Sequence, residues 1–182
     1  MIEKVLFIRP IWVVTIYVVT FILGALNNAF NPPEFFIFGI IAVLPAVMFQ
    51  MCWALSLRFY FVARVNPRKI SRNGFSKFVF FAGLLGYFFM AAALVSGAFG
   101  LVKDADQTLM LALVLGMIVG NLSNFLLIGI AAHTFEKAEK GPGAGILNIL
   151  ISFLLIFYLP IGIWFIHPRL NRLRGSSDVI SI

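Results

Sequence analysis

The chain has 182 residues, of which 62% are hydrophobic and only 12% are charged, and it carries a formal net charge of +7. Soluble domains contain about 25% charged residues, and a chain of this size cannot bury so much apolar surface in water. The composition therefore excludes a soluble fold and predicts an integral membrane protein.

The positive charge does not indicate nucleic-acid binding. Lys and Arg lie almost entirely between hydrophobic segments, as the orientation signals of membrane proteins do. We therefore expect membrane lipids as partners, together with other membrane protein subunits or a second copy of the chain, and no nucleic acid. The one cysteine, Cys52, lies within an apolar segment and excludes an intrachain disulfide.

Five hydrophobic segments approach the length of about 20 residues that a helix needs to cross a bilayer. They are continuous rather than alternating, which favours helices over a β-barrel. The predicted fold is an all-α, polytopic membrane helical bundle that forms a single domain over residues 1–182. The predicted spans are residues 11–26, 35–57, 78–102, 109–134 and 146–166.

The connectors predict how some of these helices pair. Residues 103–106 form a very short turn, so the third and fourth spans should form an antiparallel hairpin. Glu136 and Lys140 stand four residues apart on the fourth helix, which is therefore expected to continue beyond the membrane as far as Gly141.

The distribution of Lys and Arg predicts an N-terminus on the inner side of the cell membrane. Five crossings place ten of these residues inside and four outside, with the basic tail on the outer side. A hairpin or in-plane segment at Pro160 and Gly162 would return the tail to the inner side. Only one Lys or Arg residue would then remain on the outer side. Five crossings are favoured over four plus a re-entrant segment, because re-entrant backbone has to be buried in protein and the break lies near the end of the segment.

Small residues recur on one face of the third span and on one face of the fourth. Their spacings of three and four residues place them on single helical faces, and small residues let membrane helices approach closely. We therefore predict a packing seam between the two spans. The third span contributes Gly83, Gly86, Ala93, Gly97 and Gly100, and the fourth contributes Ala112, Gly116, Gly120 and Ser123.

Polar residues within the spans, and basic residues in the second connector, are the remaining candidates for function. We expect the polar residues to form hydrogen bonds between helices; the alternative is that they line a polar passage. They are Gln50, Asn121 and Asn124. The basic connector is expected to orient the chain, to bind lipid headgroups or to dock a partner. Its candidate residues are Arg58, Arg64, Arg68, Lys69 and Arg72.

No pattern in the sequence indicates an enzyme. Acidic pairs at membrane depth and the GxSxG, HExxH and CxxC motifs are missing. No cofactor is identified, although His133, at the inner end of the fourth span, is a candidate ligand for haem or a pigment. An interfacial histidine is the simpler interpretation of that residue.

Three hypotheses follow. The leading one is a non-enzymatic membrane protein that serves as an accessory or structural subunit of a larger complex. The first alternative is a small homo-oligomeric transporter or channel, with Gln50, Asn121 and Asn124 along its passage. The second alternative is a pigment- or haem-binding subunit that uses His133.

Overall fold

The computed structural model describes residues 8–30, 36–65, 74–98 and 107–178. Every regular element in this part of the chain is helical, which confirms the predicted all-α bundle. The helices are α1 (Pro10–Phe30), α2 (Phe36–Val65), α3 (Gly74–Ala98), α4 (Gln107–Lys140), α5 (Ile146–Phe157) and α6 (Leu159–Asp178), with a 3₁₀ turn at Gly141–Gly143.

Three of the helices contain stretches long and apolar enough to cross a membrane. These stretches are Leu44–Val62 in α2, Gly74–Val95 in α3 and Met110–Lys140 in α4. Pro10–Leu23 and Ile146–Phe157 are shorter apolar helices. The helical, membrane-type architecture is therefore present, with three spans assigned by length and composition.

The bundle buries one core and exposes much apolar surface around it. Trp53, Leu57, Phe135 and Ile166 are completely buried. Large side chains such as Phe81 and Phe88 remain more than 60% exposed, as expected where lipid replaces water as the solvent. The most extensive contacts between the described helices are α1–α2, α2–α3, α2–α4, α3–α4, α4–α5, α5–α6 and α1–α6.

Helix α4 is the longest helix among the described residues, and it ends where the sequence predicts. It continues past its apolar stretch to Lys140, and Gly141 then adopts a φ of +61°. Glycine suits this left-handed conformation because it has no Cβ. We call the end of the bundle at which α4 ends the Lys140 end, and the opposite end the Gln107 end.

The chain reverses direction at Tyr158, between α5 and α6. Tyr158 leaves the helical conformation with φ −93° and ψ 51°, and Pro160 falls in the first turn of α6, where its missing N–H costs no helical hydrogen bond. Gly162 then lies against the backbone of Leu155, where any Cβ would overlap the carbonyl group. The proline and the glycine together permit the tight return.

Residues 146–166 therefore form a helical hairpin and not the single helix that five crossings require. Ser152 and Arg169 would lie about 25 Å apart along a continuous helix, but the Nη1 of Arg169 donates a hydrogen bond to the Oγ of Ser152 at 3.3 Å. At about 18 Å, α5 is also too short to cross a hydrocarbon core of about 30 Å. The sequence favours a fifth crossing by residues 146–166, and the structure differs because α6 folds back beside α5.

Candidate functional site

A cluster of charged and polar side chains joins α4, α5 and α6 at the Lys140 end. The Glu136 side chain is only 1% exposed, and one of its oxygens accepts hydrogen bonds from Ser152 and from Arg169. Its other oxygen lies 3.2 Å from the Nζ of Lys140. The Nε of Arg169 also donates to Glu139, at 2.8 Å to its Oε2. These contacts connect the returning helix α6 to the last turns of α4.

The surroundings of Arg169 stabilise its positive charge. Its guanidinium lies 4.5 Å from the centre of the Phe135 ring. Burial lowers the pKa of Arg169, but the hydrogen bonds and charges of Glu139 and Glu136 outweigh burial and raise this pKa above its usual value. Arg169 therefore stays charged, and removing it would leave the buried Glu136 carboxylate without its main partner.

Only part of this cluster is predicted from the sequence. The Glu136–Lys140 pair, four residues apart, is present as expected. The contact with Arg169 is not predicted, because five crossings place the tail on the opposite side of the membrane. The signal that could have identified this contact is the charge of the tail. Its three arginines would lie on the outer side of the membrane after five crossings, against the preference of Lys and Arg for the cytoplasmic side.

The tip of the α5–α6 hairpin is stabilised by a side chain from α2. The buried Gln50 donates from its Nε2 to the carbonyl oxygens of Ile156 (2.9 Å) and Phe157 (2.7 Å). The Nδ2 of Asn124 in turn donates to the Oε1 of Gln50 at 3.3 Å. The last carbonyls of a helix have no partner within it, and unpaired backbone is costly at membrane depth. Gln50 therefore satisfies two groups that the reversal at Tyr158 exposes.

Asn121 lies apart from Gln50 and Asn124, although all three are candidates to line one passage. Its Nδ2 donates to the carbonyl oxygen of Met117 at 2.8 Å, and its Oδ1 accepts from the Tyr87 hydroxyl at 3.2 Å. Its side chain is exposed, whereas those of Gln50 and Asn124 are buried. The structure thus brings two of the three residues together and separates the third.

The small residues of α3 and α4 lie where the two backbones approach most closely. A Cβ added to Gly86 would come within 2.7 Å of the Gly120 nitrogen and 2.9 Å of the Gly116 oxygen. A Cβ on Gly83 would come within 2.9 Å of the Cβ of Ser123, and the Tyr87 ring covers Gly120. Side chains larger than hydrogen therefore do not fit at Gly86 or Gly116 without movement of the backbone, and at Gly83 they require the side chains of Met51 and Ser123 to move.

The other small residues of the predicted seam are less informative. Ala93 is buried and Ala112 is half-buried. Gly97 lies near the end of α3, where the structure describes the helix but not the residue's surroundings, and Gly100 lies outside the described residues.

Of the basic residues predicted to bind lipid or a partner, Arg58 is the one whose side chain is described. Arg68, Lys69 and Arg72 lie outside the described residues, as does the side chain of Arg64 on α2. The Nη1 of Arg58 donates to the Thr134 hydroxyl on α4. Its side chain also lines a cleft of about 470 Å³ together with Phe75, Ser76, Phe125, Leu126, Gly129, Ile130 and His133.

His133 is exposed at the edge of this cleft. His167 precedes Arg169 by two residues on α6, so both histidines belong to the half of the bundle nearer the Lys140 end, and the Nδ1 of His167 lies 3.2 Å from the Nδ2 of Asn171. Among the described residues, no three His, Cys, Asp or Glu side chains converge in a group that could hold a metal ion.

No protein-family model matches this chain, and neither a curated protein nor a solved structure shows significant similarity to it.

Proposed function

We propose that this chain is a non-enzymatic integral membrane protein that serves as an accessory or structural subunit of a larger membrane complex. The observation that carries the proposal is the exposed amide of Asn121 on an apolar face of α4. Tyr87 of α3 already donates to this amide, and a further membrane helix would best pair the donor and acceptor that remain.

The proposed topology has four crossings, made by α1 to α4, and a re-entrant hairpin made by α5 and α6. The N-terminus, the α4–α5 connector and the tail then lie on the cytoplasmic side of the cell membrane. Thirteen of the fourteen Lys and Arg residues fall on that side, and only Lys103 falls outside. The buried contact between Arg169 and Glu136 supports this arrangement, since it joins the tail to the end of α4.

The hairpin covers only part of α4. Phe125 stacks on Phe153 and Phe157, with ring centres 6.2 and 5.1 Å apart, just before the chain reverses. Asn121 and Met117 follow one and two turns nearer the Gln107 end, on roughly the same face of α4. Both are exposed, because α5 and α6 do not extend that far. This uncovered face, Met117 with Asn121, is the proposed partner surface.

The chemistry of the amide specifies the partner. Asn121 has two N–H groups and an oxygen with two lone pairs, and its internal contacts use one of each. A membrane helix that presents a hydroxyl or an amide would pair with the remaining donor and acceptor. Such hydrogen bonds contribute about 0.6 kcal/mol on average, so apolar packing against Met117 has to supply the rest of the affinity.

Site-specific photocrosslinking in native membranes tests the proposal. A photoreactive phenylalanine derivative at Met117 should give one crosslinked protein of defined mass. The same probe at Phe81 is the matched control, since Phe81 is also apolar and exposed but lines a groove of about 620 Å³ that includes neither Met117 nor Asn121. That position should give no protein adduct.

Three results would contradict the proposal. A monodisperse monomer without adducts from Met117 would exclude a subunit role, and adducts to a second copy of the chain would favour the homo-oligomeric transporter. Visible absorption by the purified protein that is lost on His133→Leu would favour the pigment hypothesis.

A further inference from the structure

The cleft beside Arg58 combines one cationic end with one apolar end. Arg58, Ser76 and His133 supply its polar groups, and Phe125 and Leu126 supply apolar wall. We propose that this cleft binds an anionic phospholipid, with the phosphate against Arg58 and an acyl chain along α4. The site does not involve Asn121, so it is independent of the subunit role.

Arg58 lacks the partners that Arg169 has. Among the described residues, the only hydrogen bond of its guanidinium is to the neutral Thr134 hydroxyl, and no carboxylate lies within 4 Å. Its Nε is buried without a hydrogen-bond partner in the same part of the structure. A half-buried cation without a counterion is costly. A phosphate in the cleft would supply both the charge and the acceptor.

Two further groups make the polar end suitable for an anion. Phe75 and Ser76 belong to the first turn of α3, a helix of 25 residues. Backbone N–H groups in a first turn have no partner within the helix, and the positive end of the helix dipole favours phosphate. His133 adds a side chain that can donate a hydrogen bond. The cleft thus gathers donors from three helices.

The apolar end explains why the ligand should be a lipid and not free phosphate. Leu126, Gly129 and Ile130 precede His133 on α4 and extend from it toward the Gln107 end. Leu126 and His133 are about 10 Å apart along the helix, which is the length of about eight methylene groups of an acyl chain. A Cβ added to Gly129 would meet no atom within 4 Å, so this part of the cleft is open.

Native mass spectrometry of the full-length chain tests the proposal, after reconstitution in phosphatidylcholine vesicles that contain phosphatidylglycerol. The wild-type chain should retain one phosphatidylglycerol in preference to phosphatidylcholine. Arg58→Gln should weaken that preference at least tenfold. Arg172→Gln, which removes an exposed arginine on α6, should leave the preference unchanged and serves as the matched control.

A second variant separates the lipid from free phosphate and does not depend on the stability of the Arg58 variant. Gly129→Leu fills the open part of the cleft but leaves Arg58 in place, so it should abolish lipid retention. Equal retention of both lipids by the wild-type chain would overturn the proposal, as would unchanged preference in both variants. Protection of the chain against heat by inorganic phosphate, to the same extent as by phosphatidylglycerol, would assign the site to soluble phosphate. A photoreactive probe at Phe75 that captures a protein instead of lipid would assign it to an acidic protein partner.

Discussion

Two pairs of antiparallel helices, α3–α4 and α5–α6, are held in place by different kinds of contact. Helices α3 and α4 approach until Gly86 lies against the backbone of Gly116 and Gly120. No charged group takes part in those contacts. Helices α5 and α6 instead depend on Gln50 at their tip and on the Glu136–Arg169 pair at their open ends.

The difference follows from where each pair ends. A helix that crosses the bilayer satisfies its backbone hydrogen bonds internally at membrane depth, so it needs only a complementary shape to pack. A hairpin that turns back inside the bundle exposes carbonyl groups at its tip, and these need a donor. Glycines allow the close approach of the first pair, to which one neutral hydrogen bond from Tyr87 to Asn121 is added, whereas the second pair requires polar side chains from α2 and α4.

Removing Arg169 should give the largest effect. Arg169→Met leaves the buried Glu136 carboxylate without its main partner, and breaking such a pair costs about 3–5 kcal/mol. The free energy of unfolding in mixed detergent micelles measures this loss. Arg172→Met, which removes an exposed arginine one turn later, is the control and should cost less than about 0.5 kcal/mol.

The double variant Glu136→Leu with Arg169→Met sharpens this result. Replacing both charges with apolar groups should recover most of the loss, since neither partner is then left alone. If Arg169→Met costs no more than Arg172→Met, the ionic contact does not secure the hairpin.

Enlarging Gly86 tests the other pair of helices. Gly86→Leu forces side-chain atoms into the backbone of α4 and should cost about 3 kcal/mol through overpacking. The same unfolding measurement applies. Gly129→Ala, also within a helix but facing open space, should be neutral or slightly stabilising. A well-tolerated Gly86→Leu would mean that the close approach of α3 and α4 is not needed.

Replacing Gln50 tests the tip of the hairpin. Gln50→Leu leaves the carbonyls of Ile156 and Phe157 without their donor and should cost about 2 kcal/mol. Hydrogen exchange should also become faster in the last turn of α5. Cys52→Ala, at an exposed position two residues later, is the control, and equal effects of the two substitutions would exclude a special role for Gln50.

Replacing Asn121 should give the smallest effect, and part of it should appear only in the assembled complex. Asn121→Leu should weaken association with the partner by about 0.6 kcal/mol, and by about 1.7 kcal/mol at most. The isolated chain should also lose about 1 kcal/mol of stability, because the substitution removes the acceptor of the buried Tyr87 hydroxyl. Leu122→Ala, on the adjacent exposed face, is the control for partner recovery in mild detergent. Unchanged recovery with Asn121→Leu would exclude the amide as a contact.

The local features of the fold are predictable from the sequence, because they depend on residues close together in the chain. Continuous apolar segments predict the helical bundle, and Glu136, Lys140 and Gly141 predict where α4 ends. The spacing of Gly86, Gly116 and Gly120 also identifies residues that the structure places in contact, since helical periodicity alone assigns them to single faces.

The α5–α6 hairpin is not predictable in the same way. Pro160 and Gly162 mark a break, but a break alone does not distinguish a kinked crossing from a full return. The contacts that decide the matter join residues far apart, since Gln50 lies 106 residues before Ile156 and Glu136 lies 33 residues before Arg169. The same reason applies to the cleft at Arg58, which combines residues from α2, α3 and α4.

The side of the membrane on which the tail lies tests the central claim most directly. In a Cys52→Ala background, Gly143→Cys reports on the α4–α5 connector and Ile182→Cys on the tail. Each single-cysteine chain is treated, in sealed vesicles of known orientation, with a thiol reagent that does not cross membranes. We expect both positions to react from the cytoplasmic side only. Reaction of Gly143→Cys and Ile182→Cys from opposite sides would show that residues 146–166 cross the membrane, and would contradict the re-entrant hairpin.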